Sequence, residues 1–192
     1  MDERKWIERI LAGDTQSFSC LVAKYEKMAY TIALRILENR EEAEEAVQDA
    51  FVKMYRALSD FHFDSKFSTW FYRIVYRTAL TALRQQRMFV SYEEAGPVDL
   101  SNDEVESATA LLEREDRKEM IARTLKKLPA DEALLLTLYY LEECSVEEIC
   151  QITELSASNV KVKLFRGRKR FYEVLQAVSY THLRAHETSQ DL

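Results

Sequence analysis

A chain of 192 residues has room for one ordinary domain or two small ones, and 47% hydrophobic residues can supply the cores. Three glycines and two prolines leave no place for a glycine-rich phosphate loop, a dinucleotide fingerprint or a turn-rich β-sandwich. The cysteines (Cys20, Cys144, Cys150) are odd in number and lack C-x-x-C spacing, which excludes a disulfide framework and a zinc site and fits a reduced, cytoplasmic setting. No apolar run approaches the roughly 20 residues that span a bilayer, and the opening MDERKWIERI is charged where a signal peptide is greasy. A soluble protein, neither exported nor inserted in a membrane, is expected.

The net charge of −6 is concentrated in one place. Residues 1–88 carry 14 Lys/Arg against 13 Asp/Glu, and residues 116–177 carry 11 against 10. Residues 89–115, in contrast, hold eight acids and a single base, Arg114. That stretch also contains Gly96-Pro97, so it reads as a solvated acidic linker between two near-neutral modules. An all-α chain of two small helical domains, 1–88 and 116–177, is the expected architecture.

In the first module, Phe18, Val22, Tyr25, Ala29, Ile32 and Ile36 recur at spacings of three and four after Asp14, a helix cap. Asn39 and Glu42 form a second capping pair. Behind them Ala43, Val47, Ala50, Phe51, Met54 and Leu58 make one apolar face, with Glu45, Gln48, Asp49 and Arg56 opposite. A loop of rings and charges, DFHFDSKFS, precedes a third helix over about 67–87. On it Phe67, Phe71, Ile74, Thr78 and Ala82 are expected in the core. Arg73, Arg77 and Arg84 form a stripe beside Trp70, and Tyr72 and Tyr76 fall on a third side. Exposed rings beside arginines suit single-stranded nucleic acid, because rings stack on bases and cations neutralise phosphates. The plainer alternative is a small domain that packs rings on two sides and solvates its arginines.

In the second module, a helix follows Leu128-Pro129, and Ser145 with Glu148 has capping-box spacing for a short helix ending near Thr153. The next helix holds six Lys/Arg and no acid from Ser156 to Arg170, and the pair outlines a helix-turn-helix. Val160, Leu164, Gly167, Phe171, Val174 and Leu175 are expected to face inward, with Gly167 admitting a close neighbour. Asn159, Lys163, Arg166 and Arg170 form an outward stripe suited to base edges and phosphates in a major groove. A dipole-favoured basic helix end explains Arg168–Arg170 but not Lys161 or Lys163.

Five segments in order, GD...F..LV..Y (13–25), AEEAVQDAFVKMYRAL (43–58), FSTWFYRIVYRTALTALR (67–84), LKKLPADEALLLTLYYLEECSVEEI (125–149) and SNVKVKLFRGRKRF (158–171), resemble the extracytoplasmic-function (ECF) group of bacterial sigma factors. The resemblance covers about residues 3–176. It implies that residues 1–88 grip the clamp helices of the RNA polymerase β′ subunit and melt the downstream promoter element. Residues 116–177 would read the upstream element and touch the β flap. Carried over residue by residue, Glu45, Gln48 and Asp49 fall in the polymerase-binding helix. Trp70, Tyr72 and Arg73 fall in the melting helix, with His62, Phe63, Asp64, Ser65 and Lys66 in a loop resembling the family's pocket for a flipped base. Arg77 and Thr81 stand where the family usually has Asn and Asp, so base preference there is open. Ser158, Asn159, Lys161, Lys163 and Arg166 match the upstream reader, with Asn159 where Thr is commoner.

Implied partners are core RNA polymerase, promoter DNA and, where one exists, an anti-sigma factor covering the polymerase-binding face. No cofactor or metal is expected. His182 and His186 lack a third ligand, and with His62 the only histidine in the folded region no catalytic triad can be assembled. Residues 178–192 resemble translated adapter sequence and are expected to be a disordered or non-native tail. Two other classes compete with this reading: a stand-alone helix-turn-helix regulator with an N-terminal sensor or dimerisation module, and a helical adaptor without DNA affinity.

Overall fold

The computed structural model describes residues 3–90 and 109–188, with side chains at 3–86 and 118–176. Among these residues the secondary structure is helical, without a strand: α1 (Glu3–Leu11), α2 (Thr15–Leu37), α3 (Arg40–Arg56), a 3-10 turn (Leu58–Asp60), α4 (Phe67–Val90), α5 (Thr109–Lys126), α6 (Ala130–Tyr140), α7 (Val146–Thr153) and α8 (Ala157–Thr188). The helix starts are set by local chemistry. The Asp14 carboxylate accepts the Gln16 amide at 3.0 Å, and the Asn39 side chain accepts the Glu42 amide at 3.2 Å. Ser145 and Glu148 close a reciprocal capping box, with the Ser145 amide donating to Glu148 at 2.7 Å.

Two compact units form, and they do not follow chain order. The first joins α1–α4 to α7; the second contains α5, α6 and most of α8. α7, read from the sequence as part of the module 116–177, packs along α4. In the first unit α2, α3 and α4 pack on one another around the rings of Tyr25, Phe51, Phe67, Phe71 and Tyr72. Tyr25 lies 5.3 Å from Phe67 and 6.0 Å from both Phe71 and Tyr72, and Phe51 lies 4.8 Å from Phe71. Burial of each such ring stabilises the unit by about 1.5–3 kcal/mol. α1 adds Ile7 and Ile10 to this core.

In the second unit the residues from Glu132 to Leu138 of α6 are all buried. Gly167 of α8 is buried too, and a Cβ there would lie 3.3 Å from Glu132 Cβ and Leu136 Cδ1. Only glycine gives this approach without displacing a neighbour.

α4 runs to Val90 and α5 starts at Thr109, both within the stretch 89–115 read as the acidic linker; Gly96-Pro97 lies outside the described residues. Residues 178–192 are read from the sequence as a disordered or non-native tail, and of these the stretch as far as Thr188 belongs to α8. Residues 176–188 contain neither glycine nor proline, so nothing interrupts the hydrogen-bond ladder although the apolar stripe has ended.

Candidate nucleic-acid interface

α3 divides its surface cleanly. Ala43, Ala46, Val47, Ala50, Phe51 and Met54 are buried, while Glu45, Gln48 and Asp49 are exposed, as the periodicity required. Glu42, Glu45 and Asp49 line a groove of about 470 Å³ whose other wall is Thr78, Thr81, Gln85 and Gln86 of α4. Lys53 reaches across it and donates to the Thr78 hydroxyl at 3.2 Å. The groove is therefore acidic on one wall and amide-lined on the other, a shape and charge that suit a basic helix.

The loop from Phe61 to Lys66 is organised by rings. Phe61 is buried and stacks against Phe63 (4.8 Å), Trp70 (5.0 Å) and Phe67 (5.5 Å), so Trp70 is half-buried. His62, Phe63, Asp64 and Lys66 are exposed, and Ser65 is half-buried. Tyr72 departs from the expectation: it is 2% exposed, and its ring belongs to the core with Tyr25 and Phe71. It cannot stack on a base while the unit is folded. The helical wheel misplaced it because α4 is covered by α2, α3 and α7, which bury more of its circumference than one apolar stripe.

Exposed cations flank this loop, and each is held by a carboxylate of the α7 segment. Glu154, which ends α7 in the left-handed region (φ 62°), accepts from Arg77 Nε at 3.0 Å and lies 3.5 Å from Arg73. Hydrogen bonding from Arg77, helped by the charge of both arginines, holds the Glu154 carboxyl below the usual glutamate range. Lys66 pairs with Glu148 at 2.9 Å. Burial pushes the Glu148 carboxyl up, but the Ser145 amide and Lys66 outweigh this and leave it lowered. Surface pairs of this kind are weak and exchangeable.

On α8, Ser158, Asn159, Lys161 and Arg166 are exposed, whereas Val160, Leu164 and Gly167 are buried. The predicted outward stripe is split. Lys163 pairs with Asp131 at the start of α6 and keeps only 27% of its side chain exposed, and Arg170 lies 3.6 Å from the buried Glu132. Burial pushes the Asp131 carboxyl up, but Lys163 and nearby backbone amides hold it below the usual aspartate range. Lys163 and Arg170 thus brace α6 to α8, and the face turned furthest from the core presents Ser158, Val162, Phe165, Arg166 and Lys169, all exposed.

The family model for Sigma-70 region 2 matches residues 21–88, and that for Sigma-70, region 4 matches residues 118–171. The chain is 32% identical over 181 residues to the RNA polymerase sigma-H factor of Pseudomonas aeruginosa, covering 91% of this chain and 94% of that protein. It is 31% identical over 170 residues to the ECF RNA polymerase sigma-E factor of Escherichia coli, covering 85% and 88%. The chain belongs to the ECF sigma factors of the sigma-70 family. Solved structures share its fold: the sigma factor RpoE with the anti-sigma factor NepR from Bartonella quintana (TM-score 0.65, 18% identity, 84% of this chain and 98% of that one) and CnrH with the cytosolic domain of CnrY (TM-score 0.60, 21% identity, 91% and 97%).

Within this sigma factor the region 4 match includes α7, the helix that packs with the first unit. Sequence reasoning missed one residue near the ring loop. Arg4 of α1 places its guanidinium 4.4 Å over the Phe63 ring, and nothing in the local pattern of α1 signals a contact so distant in sequence. The second unit also carries an apolar groove of about 470 Å³ lined by Ile121, Leu125, Leu136, Tyr140, Phe171 and Leu175 among others. Among the described residues no group of His, Cys, Asp and Glu is placed to hold a metal, and no helix is long and apolar enough to cross a membrane.

Proposed function

We propose that this sigma factor binds core RNA polymerase, directs it to particular promoters and helps to melt them, with the work divided between the surfaces described above. The exposed Glu45, Gln48 and Asp49 of α3 dock on the β′ clamp helices, where an anti-sigma factor would compete. The loop His62–Lys66, with Trp70, Arg73 and Arg77, holds the opened downstream element. Ser158, Asn159, Lys161 and Arg166 at the start of α8 read the upstream element, and Lys163 supports them through Asp131. The apolar groove of the second unit is assigned to the β flap, because the basic face of α8 is committed to DNA. Catalysis belongs to the polymerase, and the protein acts in the cytoplasm where the polymerase is.

The observation that carries this reading is the juxtaposition of a ring-built loop with exposed Lys66, Arg73 and Arg77 on one edge of the first unit. Such an edge meets the two needs of an opened strand, stacking surface and positive charge. Run-off transcription with core polymerase on a promoter library tests it: the chain should confer initiation at a defined pair of elements. A stand-alone regulator would instead bind duplex DNA equally well without polymerase. For the docking face, Asp49→Arg should retain wild-type helicity while weakening core association at least tenfold. Full affinity in that variant would remove α3 from the interface.

A further inference from the structure

α8 carries two large apolar side chains that its core does not use. Val160, Leu164 and Gly167 are buried, yet Val162 is 43% exposed and Phe165 is 66% exposed. Helix formation does not explain them, because β-branched and aromatic side chains lose rotamer freedom on a helix and Lys, Glu or Gln would serve a solvated face better. Nor do they belong to the apolar groove of this unit, which is lined from α5, α6 and α8 beyond Gly167. Their neighbours on the same face are Ser158, one turn before Val162, and Arg166 and Lys169, one turn beyond; Lys161 is exposed beside them. From Ser156 to Arg170 there is no acid. An apolar pair set in a basic surface is complementary to a polyanion that displays apolar groups between its charges. The major groove of duplex DNA is such a surface: phosphates run along both edges, and among the base edges thymine alone presents a methyl group.

We propose that Val162 and Phe165 read the methyl groups of thymines at two neighbouring base pairs of the upstream element. The two residues lie three apart, hence about 4.5 Å along the helix axis and on one side of it, a separation close to the roughly 3.4 Å between stacked base pairs. A base pair facing valine or phenylalanine receives no hydrogen bond from it, so thymine is distinguished there by the methyl group it buries. Lys161, Arg166 and Lys169 supply the charge that draws the helix into the groove. The proposal rests on the reading that the start of α8 enters the upstream element, and it adds two specificity-determining residues that neither the polar stripe nor the resemblance assigned.

The test uses the full chain with core polymerase. A promoter library randomised across the upstream element first identifies the preferred sequence, and synthetic duplexes then carry deoxyuridine in place of each thymidine in turn. At two adjacent positions the loss of the methyl should weaken promoter binding by about fourfold, the size expected when one methyl group is no longer buried. At the same positions 5-methylcytosine should bind better than cytosine. Val162→Ser should bind the thymidine and deoxyuridine duplexes equally at one of the two positions and Phe165→Ser at the other. Both variants should melt with the wild type, because the side chains they replace are exposed. Equal binding of thymidine and deoxyuridine by the wild type at every upstream position overturns the proposal, as does a deoxyuridine penalty that persists undiminished in both variants. A loss of core-polymerase affinity in either variant without DNA also overturns it and makes the pair a protein-docking patch. If the wild-type holoenzyme prefers no upstream sequence at all, the assignment of α8 to that element fails and the proposal fails with it; a sequence preference indifferent to the methyl group refutes the methyl contact alone.

Discussion

Replacing Tyr72 with alanine should unfold the first unit before it reveals anything about strand opening. Tyr72 is 2% exposed, and its ring lies 6.0 Å from Tyr25 and 6.3 Å from Phe71, so truncation removes an aromatic side chain from the centre of a cluster. Large-to-small changes of buried aromatics cost about 3–5 kcal/mol, because the lost transfer free energy is joined by that of an unfilled cavity. A domain of this size holds about 5–15 kcal/mol in total. At roughly 4–8 °C per kcal/mol, the midpoint should fall by at least about 12 °C. The assay is convenient because both tryptophans, Trp6 and Trp70, lie in the first unit, so intrinsic fluorescence follows that unit alone. Tyr72→Phe keeps the ring and should recover most of the midpoint. If Tyr72→Ala melts with the wild type and yet loses promoter opening, the ring is available to DNA and its placement in the core is wrong.

At Gly167, valine would add two methyls to a Cβ position already 3.3 Å from Glu132 and Leu136. Overpacking should cost about 1–3 kcal/mol. Amide hydrogen exchange should report it as lost protection in α6 and α8 with the first unit unaffected; unchanged protection would mean that α6 and α8 have room to separate. The Glu154 carboxyl, lowered by hydrogen bonding from Arg77 and the charges of Arg77 and Arg73, should titrate below an ordinary glutamate in carbon-detected NMR, and Arg77→Gln should move it back up. Because its folded-state value is depressed, its contribution to holding α7 on α4 is present above the unfolded-state value and is lost as pH falls through the folded-state one. A wild-type titration at the ordinary glutamate position would show that the pairs are not populated in solution.

Features governed by neighbours in sequence were legible without a structure. Asp14, Asn39 and Ser145 each cap a helix through an amide two or three residues away, and the α3 stripe separates buried from exposed by periodicity alone. Gly167 was legible because a lone glycine in a helix has few uses other than close packing. What failed depended on contacts between distant segments. Tyr72 needed knowledge that three helices cover α4, and Lys163 needed Asp131, which sits on another helix. α1 escaped notice because a nine-residue helix with two buried side chains, Ile7 and Ile10, carries too short a period to stand out. Arg4 was invisible for the same reason, and its partner Phe63 lies in a loop whose backbone angle no side-chain pattern encodes.

The bracing of α8 by α6 also sets how the protein responds to ionic strength. Each phosphate neutralised by a lysine or arginine releases condensed counterions and contributes about −0.9 to the slope of log affinity against log salt. Counting charges along Ser156–Arg170 would assign six such contacts to this helix. Lys163 and Arg170, however, already answer Asp131 and Glu132 within the protein, leaving Lys161, Arg166, Arg168 and Lys169 for the duplex. The slope from this helix should then be nearer about −3.6 than the −5.4 or so of a fully committed face. Moderate salt would cost this surface less affinity than its charge count suggests, and discrimination between promoters would depend correspondingly more on base contacts than on the phosphate backbone.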